Sequence, residues 1–310
     1  MRDPQELFVE HARAETITSP VLVYAFTGFV DAGNGVRLAS EHLLRSCEHR
    51  LLATFDADEL LDFRARRPRM SYVVDHFVSV DIPQITLHEI VDDDGRAFLF
   101  LQGPEPDYQW LRFMAAVDLV VEQYSVSLAV GLTSMPWPTP HTRPLGLTVH
   151  GSEPSLVAGQ TSIIGEIEVP GHVSAMLELH LGQTGVPSMG LTAQVPHYLV
   201  QFDYPRAAET LILGLRTYAG LRISTTELGP AAAEADREVA QQVENNPEFA
   251  TVVAALEQQY DQVGAAREIV AGGLADLADE NFPNGEEIAA QVEEFLAGLA
   301  DPDDPGKQTG

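Results

Sequence analysis

Four short stretches of this chain place groups able to bind a ligand or move a proton just beyond an apolar run, where a strand gives way to a loop. The first is Gly28-Phe29-Val30-Asp31-Ala32-Gly33, which follows the apolar segment 20–27. In an α/β sheet, loops that leave the carboxyl ends of strands are where ligands and partner segments settle. The Asp31 carboxylate, set before an amphipathic helix, is stabilised by the helix dipole, satisfies free backbone donors and repels an incoming phosphate. The second stretch, Gly103-Pro104-Glu105-Pro106-Asp107-Tyr108-Gln109-Trp110, carries Glu105 and Asp107 on a loop stiffened by prolines. It reads either as a binding loop or as a helix entry in which Asp107 caps and Trp110 joins the core. The third, Met135-Pro136-Trp137-Pro138-Thr139-Pro140-His141-Thr142-Arg143-Pro144, sets His141 and Arg143 on a proline-dense loop, where an imidazole and a guanidinium can bind an anion or transfer a proton. The fourth, Val195-Pro196-His197-Tyr198, holds His197 between a strand and a helix region, and a structurally satisfied histidine is the default there.

Residues 56–69, Asp56-Ala57-Asp58-Glu59-Leu60-Leu61-Asp62-Phe63-Arg64-Ala65-Arg66-Arg67-Pro68-Arg69, run from acids to arginines. Carboxylates suit hard cations and arginine forks suit carboxylate or phosphate, so a metal site followed by an anion clamp is one reading. The other is a helix with acids at its start and arginines at its end, matched to the dipole, and it is favoured for the acids, so no metal site is expected. Arg64, Arg66, Arg67 and Arg69 must still pair with something on so acidic a chain, and an interface with the acidic tail of a neighbouring subunit fits.

Composition excludes much other chemistry. No Gly-x-Ser-x-Gly elbow, His-Glu-x-x-His helix, Walker loop or GxGxxG occurs. Lys307 is the only lysine and lies in a tail rich in Asp, Pro and Gly, so the core has no lysine for a Schiff base or a phosphate loop. Cys47 is the only cysteine and falls on the apolar stripe Val36, Ala39, Leu43, Cys47, as a small buried residue does. No cofactor is expected. The net charge of −28 repels nucleic acid and anionic lipid, so neither nucleic acid nor membrane is an expected partner. The segment Met1-Arg2-Asp3-Pro4-Gln5-Glu6 does not read as a signal peptide, and a cytoplasmic protein is expected.

The elements that must position these groups alternate along residues 20–225. Strands are expected at 20–27, 50–55, 85–91, 97–102, 127–132, 146–150 and 188–193, and helices at 34–47, 107–124, 171–182 and 205–220. Asp92-Asp93-Asp94-Gly95 reads as a hairpin turn, so the sheet should be mixed. After Gly229-Pro230 the texture turns to Ala, Glu and Gln, with helices expected at 231–244, 247–272 and 284–298. From Glu227 onward there are 19 acidic and 3 basic residues, a net of −16. The expected organisation is an α/β core over 1–225, an acidic helical extension over 226–299 and a disordered tail over 300–310.

Taken in order, the motifs Gly28-Phe29-Val30-Asp31-Ala32-Gly33, Asp62-Phe63-Arg64-Ala65-Arg66-Arg67-Pro68, Gly103 to Trp110, Thr142-Arg143-Pro144, Val169-Pro170-Gly171 and Val195-Pro196-His197-Tyr198-Leu199 resemble the family of the second proteasome assembly chaperone in its actinobacterial form. The resemblance spans most of residues 20–225. It implies a three-layer αβα fold of the phosphorylase/hydrolase-like type with a mixed central sheet, and a homo-oligomer, trimeric or other. It also implies an interaction or assembly factor whose partners include proteasome subunits. Docking relatives use a C-terminal hydrophobic-Tyr-X motif, whereas this chain ends Gly306-Lys307-Gln308-Thr309-Gly310, so docking by that route is not expected. The rival expectation is a small-molecule enzyme of hydrolase or nucleoside-phosphorylase type using a crevice between the Asp31 and His141/Arg143 loops. In either case Asp31, Glu105, Asp107, His141, Arg143 and His197 are the candidate binding residues.

Overall fold

An apolar run without polar alternation becomes a strand covered on both faces, and in this computed structural model Val21 to Phe26 are all buried. The structure describes residues 2–14, 17, 20–159 and 166–273. The expected helix at 284–298 and the tail at 300–310 lie outside the described residues. Two compact units result, Met1–Gln160 with Pro170–Asp261, and Thr161–Val169 with Gln262–Gly310.

The first unit is built on an eight-stranded sheet. Its strands are drawn from β1 (Phe8–Glu10), β2 (Val21–Thr27), β3 (Glu48–Phe55), β4 (Arg69–Val73), β5 (His76–Asp81), β6 (Thr86–Val91), β7 (Ala97–Pro104), β8 (Leu128–Trp137), β9 (Leu147–Gly151) and β10 (Ser188–Pro196). The helices are α1 (Gly35–Ser46), α2 (Ala57–Leu60), α3 (Trp110–Tyr124), α4 (Val173–Gln183), α5 (Pro205–Gly214), α6 (Leu228–Glu244) and α7 (Pro247–Gly273). The sheet order is β1-β3-β6-β7-β2-β8-β10-β9, while β4 and β5 form a separate hairpin. The central strands β7, β2, β8 and β10 are parallel, and antiparallel pairs flank them on both sides.

Period-two alternation divides the core into two layers. Val21, Val23 and Ala25 of β2 pack with Val36, Ala39 and Leu43 of α1 and with Leu211 and Ile212 of α5. Leu22, Tyr24 and Phe26 face Phe113 and Val117 of α3 and Leu177 and Leu181 of α4. Helices on both faces of a mixed sheet make the three-layer αβα fold. The acidic segment adds α6, whose Leu228 and Val239 join the core layer of α1 and α5, and Asp236 on it receives the guanidinium of Arg206.

Several boundaries differ from the sequence reading, each for a local reason. β8 runs on through Met135, Pro136 and Trp137, because Pro136 sits opposite Val195 where its missing N–H is tolerated. α3 starts at Trp110 rather than 107, since Gln109 is left-handed at φ 57° and the amides of Asp107 and Tyr108 bond Leu60 O instead. α6 begins at Leu228, with Pro230 inside its first turn, where no intrahelical N–H is required. The helix expected at 205–220 continues beyond α5 as a π-turn over Leu215–Ala219 and stops on Gly220 at φ 66°. Residues 56–69 form only the one-turn α2, capped by Asp56, whose carboxylate accepts from Asp58 N at 2.9 Å and Glu59 N at 3.2 Å. The arginines therefore lie beyond any helix, and Arg69 opens the β4–β5 hairpin, an element the sequence reading lacks.

Candidate functional site

Because β2, β7, β8 and β10 are parallel, their carboxyl ends reach one edge of the sheet, and the loops that leave them carry the six candidate binding residues. The fold gives each a different partner.

Asp31 caps α1. Its Oδ1 accepts from Val36 N at 2.7 Å and Arg37 N at 3.4 Å, across a turn in which Gly33 has φ 64° and Asn34 φ 51°. Burial pushes its carboxyl up to about 6, against the opposing pull of the two amides and Arg37. Ser134, which pairs with Asp31 across a β-bridge, donates its hydroxyl to Ala32 O at 2.8 Å.

Glu105 and Asp107 pin neighbouring segments. Glu105 Oε1 accepts from Val173 N, the first amide of α4, at 2.8 Å. Asp107 Oδ2 accepts from Asp62 N at 2.7 Å and its Oδ1 receives Arg66 Nη2 at 3.1 Å, so it staples the arginine-bearing loop to the end of β7 rather than capping α3. Tyr108 donates its hydroxyl to Asp62 Oδ2 at 3.1 Å, and the Arg64 amide holds the Asp62 carboxyl below its ordinary range. Gly28, at φ 141°, adopts a backbone conformation that a side chain would strain, and it lies beside Glu105 and Arg66, where a Cβ would only reach ordinary contact at 3.6 and 3.8 Å. Arg66 Nη1 is buried without a hydrogen-bond partner, while Arg64, Arg67 and Arg69 are exposed.

His141 and Arg143 are both engaged. The backbone N–H of His141 donates to Tyr198 Oη at 2.8 Å, so the phenol proton is free to go to His141 Nδ1, also 2.8 Å away. That geometry assigns a neutral ring protonated at Nε2. Burial accordingly pushes the imidazole below its ordinary pKa and the Tyr198 phenol up to about 12. Arg143 makes a two-pronged bond to Asp261, 2.8 Å from Nε and 2.7 Å from Nη2, and its Nη1 reaches Glu257 at 3.3 Å. Thr142 donates to Glu257 Oε1, and Tyr260 donates to Pro144 O at 3.1 Å. The first half of α7 thus grips the whole 141–144 loop. His197 is exposed and turns an edge to Tyr198, with ring centroids 5.3 Å apart.

The structure therefore joins Asp107 to Arg66, and His141 and His197 to Tyr198, while Asp31 and Arg143 are tied to separate elements. An anion reaching Arg143 would have to displace two carboxylates. Two open hollows, of about 580 and 490 Å³, flank β1, and none of the six candidates lines either. Among the described residues no cluster of His, Cys, Asp and Glu is arranged to hold a metal ion, and no helix is long and apolar enough to cross a membrane. Cys47 packs against the core, and burial pushes its thiol up to about 11, so it stays protonated.

What sequence reasoning missed at this edge is apolar. Phe29 and Phe202 are 64 % and 58 % exposed, on loops bonded through Gly33 N to Val200 O and Tyr204 N to Gly33 O. Tyr108 and Leu111 are exposed at the entry to α3. The available signal was an aromatic residue inside each of two polar or glycine-bearing turns.

None of the curated proteins matches the chain. Among solved structures, it is similar to a Mycobacterium tuberculosis protein of unknown function, with 41% identity over 86% of this chain and 92% of that one and a TM-score of 0.82. A Corynebacterium glutamicum protein of unknown function shares 35% identity over 84% of this chain and 99% of that one, with a TM-score of 0.78. A Mycobacterium tuberculosis proteasome-assembly chaperone homologue shares the fold at 23% identity, covering 75% of this chain and 99% of that one, with a TM-score of 0.69. The model of the PAC2 family matches residues 25–243, more than two thirds of the sequence, and the chain belongs to that family.

Proposed function

We propose that this protein is an assembly factor that holds partner chains on the strand-end edge of its sheet, with proteasome subunits as the partner class, and that it works in the cytoplasm as a homo-oligomer. One observation carries the reading. At the edge where an α/β enzyme presents its reactive groups, Asp31, Glu105, Asp107, His141 and Arg143 are spent on internal bonds, while Phe29, Phe202, Tyr108 and Leu111 stand in solvent. Exposed aromatic anchors around a polar rim suit a protein surface better than a small molecule. Family membership and the fold shared with a proteasome-assembly chaperone homologue support the partner class.

Self-association is supported by the β4–β5 hairpin. All its residues are exposed, Val74 at its tip by 90 %, and Tyr72 and Phe77 stack edge to face 5.0 Å apart with nothing else over them among the described contacts. Two-stranded ribbons are marginal in water unless covered, and a second subunit would supply the cover.

Co-purification from the native host tests the partner. Tagged protein should retain proteasome α-subunits, and Phe29→Ser with Phe202→Ser should lower the retained amount by about tenfold or more, in line with loss of two interface anchors. Retention unchanged in the double variant would remove this surface, and no retention by the unaltered chain would remove the partner class. Sedimentation tests the oligomer, with Val74→Asp plus Phe77→Asp expected to shift it toward monomer.

A further inference from the structure

On the side of the sheet that α4 covers, the register sets Gly131 beside Gly190 and Thr133 beside Thr192, with His150 of β9 opposite Gly190. A Cβ on Gly190 would lie 2.1 Å from His150 Cε1 and 2.7 Å from Glu178 Oε2, so the glycine is what allows an imidazole and a carboxylate to rest on the sheet. Glu178 Oε1 is 2.9 Å from His150 Nδ1, His150 Nε2 is 3.4 Å from Thr192 Oγ1, and Thr192 Oγ1 is 2.7 Å from Thr133 Oγ1. An ionised carboxylate only accepts, which places the imidazole proton on Nδ1 and turns the Nε2 lone pair toward the Thr192 hydroxyl. The threonines are each 6 % exposed, whereas the His150 side chain is 48 % exposed, so the relay runs from the interior to solvent. Ser174 Oγ, on the first turn of α4, is buried without a partner.

Carboxylate, imidazole and hydroxyl in that order are the parts of an activated nucleophile. We propose that Thr192 accepts the acyl group of a short, uncharged ester, with His150 as its base and Glu178 as the positioning residue. His150 Nε2 takes the Thr192 proton as Oγ1 bonds to the carbonyl carbon, and the Thr133 hydroxyl steadies the oxygen by donating to it. The bond from that carbon to the alcohol oxygen then breaks, and His150 returns the proton to the leaving alcohol. A water deprotonated by the same imidazole attacks the acyl carbon, freeing the acid and restoring the hydroxyl. The ester must be short because Thr192 is nearly covered, and uncharged because the relay pairs one carboxylate with one imidazole and holds no guanidinium. This site is separate from the partner surface and stands or falls without it.

The test is turnover of p-nitrophenyl acetate by the full chain, with the acylated residue mapped by mass spectrometry of peptides. With Lys307 the only lysine, adventitious acylation of side-chain amines is confined to one position. Thr192→Val and His150→Ala should each lower turnover by about a hundredfold to ten-thousandfold, the range of general-base assistance. Thr192→Ser keeps a hydroxyl and should retain turnover, which separates lost chemistry from lost folding. Glu178→Gln should lower kcat while leaving KM nearly unchanged, the split expected of a group that positions the base rather than binding the ester. Turnover equal in Thr192→Val and the unaltered chain, none in either, or an acyl group found only elsewhere would overturn the proposal.

Discussion

Asp31 is a carboxyl group that folding moves toward neutrality, from 3.8 to about 6, because burial outweighs the two amides it caps. A raised acid binds its proton more tightly in the folded chain than in the unfolded one, so stability is greatest below about pH 4 for this group and declines as pH rises to about 6. At 1.36 kcal/mol per unit the whole effect is about 3 kcal/mol at most. Asp31→Asn keeps an oxygen for the Val36 amide and removes the titration. Denaturant melts at pH 4 and pH 7 should therefore show the variant gaining on the unaltered chain as pH rises. Tyr198 is the opposite kind of residue, a neutral group whose hydroxyl serves two partners at once. Tyr198→Phe strands the His141 amide and Nδ1, and the loss of about 1 to 3 kcal/mol for buried groups left unpaired should appear as a melting temperature several degrees lower. That Asp31 would act as a helix cap was legible from its place before an amphipathic stretch. That Arg143 would be held by Asp261 was not, because the two lie 118 residues apart and no local pattern links them.

At the scale of elements, the sequence spoke most clearly where burial is complete on a regular period. β2 and the apolar half of β10 were legible because both faces are covered, which leaves uninterrupted aliphatic runs. The β4–β5 hairpin was hidden for the converse reason: Met70, Tyr72, Val73, Phe77 and Val80 are exposed alike, and a register shift between Ser71 and Tyr72 breaks the alternation. β1, three residues long, is too short to show any period. The apolar stripe of α6 was legible while its destination was not, since a stripe does not name the surface it meets. That destination yields a prediction. A chain ended after Gly229 loses Ala232, Val239 and Asp236, uncovering apolar surface on α5 and leaving Arg206 with only Glu209 among its described partners. It should melt at lower temperature than a chain ended after Asp261, or aggregate, whereas equal melting would show that α5 closes its own face.

For the whole molecule, a net charge of −28 sets long-range repulsion between copies against the short-range attraction of an exposed apolar hairpin. Salt screens the first and leaves the second, with a Debye length falling from about 30 Å at 0.01 M to about 8 Å at 0.15 M. The sedimenting mass should therefore rise with ionic strength across that range at fixed micromolar concentration. A mass that falls with salt would mean that ion pairs, such as those open to Arg64, Arg67 and Arg69, hold the subunits instead.

The parallel pairing of β2 also has a consequence in time. Its neighbours on the two sides are β7 and β8, which come later in the chain, β8 beginning about 100 residues after β2 ends. On a ribosome adding about 5 to 20 residues per second, Val21 to Phe26 leave the exit tunnel and then wait roughly 5 to 20 seconds for their second partner to be made. Until β7 follows, this wholly buried strand is an unpaired nascent segment, and one of its edges stays open until β8 is made. Translation stalled before β8 should leave a chain that trigger-type holding chaperones bind and proteases cut, whereas stalling well beyond β10 should leave one that resists both.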